Sequence, residues 1–477
     1  MRHGLLLAII FSACHYVASS AIAAPPNIVL FVCDDLGADL GCYGNKAIKT
    51  PAIDQLAKEG TRYTQAFCTT ASCSASRSVI LTGLYNHANA QFGHEHSYHH
   101  FRTYDNLKSL PVLLAEAGYR TARIGKLHVG PEEVYKFGAV LPGNPRHSVQ
   151  MANNSQAFIA AKDDKPFFLY FCPADPHRSG ESVENDPLLP DAFGNRPQGY
   201  AGITDVKYDP KDVVVPRFLP DTATCRAELA QYYQSVSRID QGLAQLVKHL
   251  KAAGVYDRTV IIFTSDHGIA FPGAKTTLYD GGMRIPLIVK HPDVQPTDKD
   301  GNISQALVSI ADFTPTILDL AGALPAAENP KAPFQGRSFR KTLTTANPPG
   351  FDEVYASHTF HEVTMYYPMR AIRTRRYKLI WNIANPLTFP FASDLWEAPT
   401  WQEIYKQGLD ANYGQRTVRD YLQRPRFELY DLESDPDEVK NLAVLPEHKA
   451  LLIEMIDKLK AFQKRTNDPW ALKWEHE

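Results

Sequence analysis

The chain has 477 residues, 44% of them hydrophobic, and a formal net charge of -2. That length predicts about two or three domains with enough apolar material for a core. The near-neutral balance excludes the basic surface that a nucleic-acid partner requires. Seven cysteines, at 14, 33, 42, 68, 73, 172 and 225, are too sparse for a disulfide scaffold and match no zinc spacing.

Arg2 and His3 precede an apolar run over residues 5–13, too short to span a bilayer. Ala21-Ile22-Ala23 supplies a small-residue cleavage pattern, so residues 1–23 read as a secretory signal peptide. Lipid anchoring at Cys14, in Phe11-Ser12-Ala13-Cys14, is the alternative. No later stretch reads as transmembrane.

Asn27-Ile28-Val29-Leu30-Phe31-Val32-Cys33 is continuously apolar, the pattern of a strand buried on both faces of a parallel sheet. It ends at Asp34-Asp35, a pair of carboxylates of the kind a hard cation needs. Thr50-Pro51 opens a helix that Gly60 can end. In Ala71-Ser72-Cys73-Ser74-Ala75-Ser76-Arg77, a thiol sits at the front of an apolar helix, where unpaired N–H groups and the helix dipole suit an anion or an activated nucleophile. Gly93-His94-Glu95-His96-Ser97-Tyr98-His99-His100 reads as a polar loop at a pocket rim in preference to a metal site.

Residues 107–117 read as a helix and 119–125 as a strand, which ends in Lys126-Leu127-His128. Residues 166–172 form another apolar strand and run into Asp175-Pro176-His177-Arg178. A Pro- and Gly-rich stretch over 179–224 is long enough to be functional. Helical spacing returns over 227–253, and a strand over 259–263 ends at Ser265-Asp266-His267, with Lys275 on the next loop. A strand over 284–289 and a helix over 310–321 follow.

Residues 325–350 read as a linker. Beyond it, 369–383 alternates like antiparallel strands with a basic face, and 449–462 is an amphipathic helix. The expected fold is therefore α/β: a mostly parallel sheet flanked by helices over residues 24–350, and a smaller α+β subdomain with an antiparallel sheet over 351–477. Sheets of the first kind gather their functional groups at strand C-termini. Asp34, Asp35, Lys126, His128, His177, Asp266 and His267 all fall there, and with Cys73 they would make one site.

Cys73-x-Ala75-x-Arg77, followed by an apolar run and Thr82-Gly83, resembles the signature of the type I sulfatases of the alkaline phosphatase superfamily. Further stretches resemble the sulfamidases among them: Gly125-Lys126, His128-Val129-Gly130-Pro131-Glu132, Asp175-Pro176-His177-Arg178, His361-Glu362-Val363-Thr364-Met365, Tyr367-Pro368-Met369-Arg370 and Asp468-Pro469-Trp470. The resemblance implies that a formylglycine-generating or anaerobic sulfatase-maturating enzyme oxidises Cys73 to formylglycine, whose hydrated aldehyde is the nucleophile. It implies that Asp34, Asp35, Asp266, His267 and the modified Cys73 bind a divalent cation, Ca²⁺ with Mg²⁺ as the alternative. His267 stands where sulfamidases have Asn.

By the same resemblance, Arg77 and His128 position the formylglycine hydroxyls, Lys126 and Lys275 hold sulfate oxygens, Asp266 acts as base and His177 as acid. Arg178, His361, Glu362 and Arg370 are the implied substrate contacts. The implied substrate is glucosamine N-sulfate in a sulfated glycosaminoglycan of the heparan sulfate type. An O-sulfatase or a phosphonate monoester hydrolase is the alternative, as is a glycan-binding protein if Cys73 stays a thiol. Export to a bacterial periplasm or a lysosome and a homodimer complete the expectation.

Overall fold

The computed structural model describes residues 24–178, 191–324 and 333–476. The expected signal peptide and the alternative anchor at Cys14 lie outside the described residues, as do 179–190 of the Pro-rich stretch and 325–332 of the expected linker.

The large sheet has eight strands in the order β4-β3-β5-β1-β6-β7-β2-β8. They are β1 (Asn27–Cys33), β2 (Thr61–Phe67), β3 (Arg120–Gly125), β4 (Ala139–Leu141), β5 (Phe167–Cys172), β6 (Thr259–Ser265), β7 (Leu287–Lys290) and β8 (Asn302–Ser309). Every residue of β1, β5 and β6 is buried, because helices cover both faces of the sheet centre. Leu30 lies level with Tyr170 on one side and Ile262 on the other, both parallel. Only β7 runs against its neighbours, β6 and β2, which fits the expected mostly parallel sheet.

Gly125 ends β3 at φ 84, and a Cβ there would lie 2.0 Å from the Cys172 carbonyl oxygen. Only glycine both turns left-handed and lets β3 pass β5 this closely, and the turn delivers Lys126. Gly242, in the helix Ala223–Ala252, likewise leaves room for Ser148 of the helix Ser148–Ile159.

Strands β2, β4 and β8 and the helix Ser148–Ile159 go beyond the sequence reading. In β2 and β8, buried and more accessible residues are mixed along the strand, so neither is a continuous apolar run. The helix expected from residue 107 begins at Leu110, with Pro111 in its first turn.

The second sheet is antiparallel, with β9 (Glu353–His358), β10 (Met369–Thr374), β11 (Tyr377–Asn382) and β12 (Phe427–Asp431) in the order β12-β11-β10-β9. The amphipathic helix Lys449–Thr466 covers it, with Phe462 stacked on Tyr355. The expected basic face is divided: Arg375 and Arg376 reach the surface, paired with Asp352 and Asp431, but Arg373 and Lys378 turn inward. Lys378 is buried between Asp280 (2.9 Å) and Glu438 (2.8 Å), and Arg373 reaches Asp280 at 3.2 Å. The two pairs with Asp280 tie the second sheet to the short helix Asp280–Met283 before β7.

Candidate active site

The strand ends of the large sheet converge on Cys73, the first residue of the buried helix Cys73–Thr82. Asp34 and Asp35 follow β1, Asp266 and His267 follow β6, and Lys126 follows β3. Asp35 sits at φ 64, so the chain doubles back and both carboxylates stay inside. Its N–H donates to Asp266 Oδ1 at 3.1 Å, joining the two acidic strand ends directly.

Arg77, one turn after Cys73 and fully buried, donates from Nε to Asp266 Oδ2 at 2.9 Å and from Nη2 to Asp34 Oδ1 at 3.4 Å. Lys126 Nζ lies 2.6 Å from Asp34 Oδ2, and Lys275 Nζ lies 3.0 Å from Asp35 Oδ2. Burial opposes ionisation of Asp34 and Asp35, but these cations outweigh it and hold both carboxyls well below the usual range. Asp266 has Arg77 on one side but two carboxylates nearby, and burial raises it to about 6.

The expected activation of the Cys73 thiol by the helix terminus is not what the site provides. Burial pushes the thiol up, against the pull of Lys126. Ser72, at the N-cap position, does not cap the helix with its side chain; its hydroxyl bonds His361 Nδ1 at 2.9 Å.

His267 Nδ1 donates to the Gly268 carbonyl at 3.0 Å, which turns the Nε2 lone pair toward Asp35 Oδ1 (3.0 Å) and Cys73 Sγ (3.3 Å). A lone pair facing a carboxylate is favourable only with a positive charge between or upon them. In the protein alone that charge is a proton: burial disfavours it, but Asp266 and Asp35 raise His267 well above its ordinary value. Asp34, Cys73 and Asp266 form a second group whose ligand atoms lie within 4.8 Å of one another. A set of buried oxygens with one imidazole therefore fits a divalent cation.

His177 is half-buried, its Nε2 3.3 Å from Lys275 Nζ and 4.0 Å from Asp35 Oδ2; burial and Lys275 lower it to about 4. His128 packs against the histidine-rich loop, its Nε2 2.5 Å from His96 Nδ1, and burial and Lys126 keep it neutral. His94 of that loop reaches inward to His361, 2.9 Å away, and ligand nitrogens of His94, His96 and His128 lie within 4.8 Å of one another.

Two expected substrate contacts point elsewhere. Arg178 is buried in a pair with Glu228, between Phe193 and Phe271. Arg370 is fully buried in a bidentate pair with Asp468 at 2.6 and 2.9 Å. Both guanidiniums find carboxylates inside the protein, so neither faces the pocket. His361 and Glu362 do lie at the site, with Glu362 accepting from Ser393 N–H and hydroxyl. The sequence reading missed Asp394, whose Oδ2 lies 2.8 Å from Lys275 Nζ. No local pattern marks it; burial favours the neutral form, but Lys275 and His177 outweigh it and keep the carboxyl below its usual value.

Residues 26–323 match the family model described as sulfatase, and residues 271–408 match the model for the C-terminal region of N-sulphoglucosamine sulphohydrolase. The chain belongs to the sulfatase family. It is 39% identical to human N-sulphoglucosamine sulphohydrolase over 94% of this chain and 92% of that protein. It is 30% identical to an ulvan-active sulfatase of Formosa agariphila over 94% of this chain and 82% of that one. A solved structure holding its substrate D-glucosamine-2-N,6-O-disulfate superposes with a TM-score of 0.65 at 22% identity, covering 93% and 99% of the two chains. The phosphonate monoester hydrolase of Agrobacterium radiobacter does so at 0.67 and 18% identity, covering 92% and 96%. Identities this low speak for the fold alone. Sulfatases work with a formylglycine and a divalent metal ion, and the donor set around residue 73 suits both.

Proposed function

We propose that this sulfatase is an exported sulfamidase that hydrolyses the N-sulfate of glucosamine at the non-reducing end of a heparan-sulfate-type oligosaccharide. The likeness to human N-sulphoglucosamine sulphohydrolase carries this reading, because it extends through the C-terminal part that supplies His361, Glu362 and Asp394. In this reading residues 24–350 form the catalytic domain and 351–477 the subdomain that closes over it. Beside Glu362 and Ser393, a cleft of about 410 Å³ lined by Phe389, Phe391, Trp396 and Tyr405 suits the apolar faces of further sugar rings.

Asp34, Asp35, Asp266, His267 and residue 73 would hold the cation, Ca²⁺ or Mg²⁺. When bound, the cation offsets sulfate charge, and the formylglycine made from Cys73 by a maturation enzyme supplies a hydroxyl nucleophile. Lys126 and Lys275 bind sulfate oxygens and stabilise the charge that develops on them. Asp266, poised near neutrality, accepts the proton of the attacking hydroxyl, while Arg77 keeps its carboxylate aimed. Nitrogen cannot leave as an amide anion, so a proton must reach it; His177, its Nε2 3.3 Å from the Lys275 ammonium, is the acid in this reading. His128 moves the second proton and Glu362 contacts the sugar, while His361, buried with both ring nitrogens bonded to Ser72 and His94, braces the pocket from behind and does not touch substrate.

Sulfate release from N-sulfoglucosamine and glucosamine 6-sulfate, and phenol release from an aryl phosphonate, test this, with mass spectrometry of the Cys73 peptide on the same preparation. Oxidised Cys73 with preferred release from N-sulfoglucosamine is expected. Release from the 6-sulfate alone by oxidised enzyme overturns the specificity. A thiol at position 73 in protein from the native host overturns the activity.

A further inference from the structure

Asp394 places a carboxylate in a pocket built for an anion. The short helix Ser393–Trp396 carries it, and Glu362 holds that helix by accepting from Ser393 N–H at 2.9 Å and from its hydroxyl at 2.8 Å. Lys275 Nζ is therefore shared between Asp394 (2.8 Å) and Asp35 (3.0 Å), with His177 Nε2 3.3 Å away. Ligand atoms of Asp35, His177 and Asp394 all lie within 4.8 Å of one another. Oδ1 of Asp394 accepts no hydrogen bond from the described residues. For sulfate binding alone such a carboxylate is a liability, since it repels sulfate oxygens and divides the charge of Lys275.

The carboxylate makes sense for the atom that bridges sulfur to the sugar. In a sulfamate that atom is nitrogen and carries an N–H, a hydrogen-bond donor. In a sulfate ester it is oxygen, with lone pairs only. A half-buried carboxylate beside it accepts from the first and repels the second, and a site built to bond an N–H rejects the analogue lacking it far more strongly than apolar contacts can. Hydrolysis widens the difference. In R–NH–SO₃⁻ + H₂O → R–NH₃⁺ + SO₄²⁻ the S–N bond breaks, the water oxygen goes to sulfur, and nitrogen ends with both water protons and a positive charge. An ester leaves a neutral hydroxyl.

We propose that Asp394 accepts the N–H of the bound sulfamate and then holds the ammonium of the released amine, and so selects N-sulfate over O-sulfate. The inference rests on the sulfamidase reading above. Asp394 stays ionised throughout and transfers no proton; His177 remains the donor.

Glucosamine N-sulfate and glucose 2-sulfate test this, because they differ only in the bridging N–H or O. Values of kcat/KM for both are compared in matured wild type and D394N, and Kd for both in C73S and C73S/D394N. Wild type should favour the N-sulfate by about 100-fold or more, and D394N should cut that ratio at least tenfold, mostly through loss on the N-sulfate. The Kd ratio should fall in the same direction. A ratio within twofold of wild type, even with both substrates impaired equally, would show that Asp394 only steadies Lys275, and would overturn the proposal. If D394N does not fold, D394S is read by the same ratios. Wild type that prefers the ester, or matured enzyme that hydrolyses neither sugar, overturns the sulfamidase reading itself and is seen before any variant is compared.

Discussion

His361 Nδ1 lies 2.9 Å from the hydroxyl of Ser72, the residue just before Cys73. A side chain from the second-sheet part of the chain thus fixes the front of the nucleophile helix. The contact continues: His361 Nε2 meets His94 Nε2 at 2.9 Å, and His94 Nδ1 lies 3.4 Å from the hydroxyl of Ser74. Both neighbours of Cys73 are pinned by one chain of two imidazoles. Burial holds both rings neutral, so across their Nε2–Nε2 contact one ring donates and the other accepts.

H361A should therefore loosen residue 73 without removing a cation ligand. We expect kcat to fall about tenfold, as for a misplaced reacting group. Stability should fall by about 1–3 kcal/mol, because Ser72 and His94 lose a buried partner. Thermal unfolding and steady-state kinetics check this; unchanged kcat would mean that the imidazole chain does not set the position of residue 73.

Arg77 is the larger dependency, since among the described residues it is the one cation paired with both Asp34 and Asp266. R77A leaves two buried carboxylates short of a partner and should cost about 3–5 kcal/mol. R77K keeps the charge but not the fork, so it should recover part of the stability and little of the activity. Urea unfolding of the two variants beside wild type reads both effects; equal stabilities for R77K and R77A would show that charge is not what Arg77 contributes.

The residues legible from sequence were those whose position follows from strand ends. Asp34, Asp35, Lys126 and Asp266 meet because parallel strands deliver their C-termini to one rim. Arg178 and Arg370 misled because a motif shows which residue is present and not which way it turns. Their carboxylate partners, Glu228 and Asp468, are 50 and 98 residues away in sequence. Asp394 was invisible for the converse reason: it reaches Lys275 across 119 residues and stands in no motif. The edge region of the sheet was missed where β2 and β8 mix buried and accessible positions and lack the apolar run that marks a central strand.

The cation site makes a prediction that needs no substrate. Asp35, Asp266 and His267 are fully buried with lone pairs converging, so a bound divalent ion should stabilise the fold. Ca²⁺ at a hundred times its Kd should add about 2.7 kcal/mol of stability over chelated protein. In H267A this increment should shrink while the oxygen ligands remain. Scanning calorimetry with Ca²⁺, Mg²⁺ and chelator measures it, and identical unfolding in all three conditions would argue against a cation among these residues.

The pair that removed Arg370 from the substrate-contact set has its own pH signature. Burial works against the charge of Asp468, but Arg370 outweighs it and draws the carboxyl down to about 2. A depressed folded value means the stabilisation is complete above the unfolded value of about 3.9 and is lost as pH falls through the folded one. The window is therefore pH 4 down to 2, with about 2–3 kcal/mol at stake. D468N should be less stable than wild type at pH 6, and the gap should narrow as pH falls through that window. Urea midpoints for the two proteins between pH 6 and 3 give the comparison; a gap that stays constant to the lowest pH would mean that Asp468 is held by its geometry and not by the charge of Arg370.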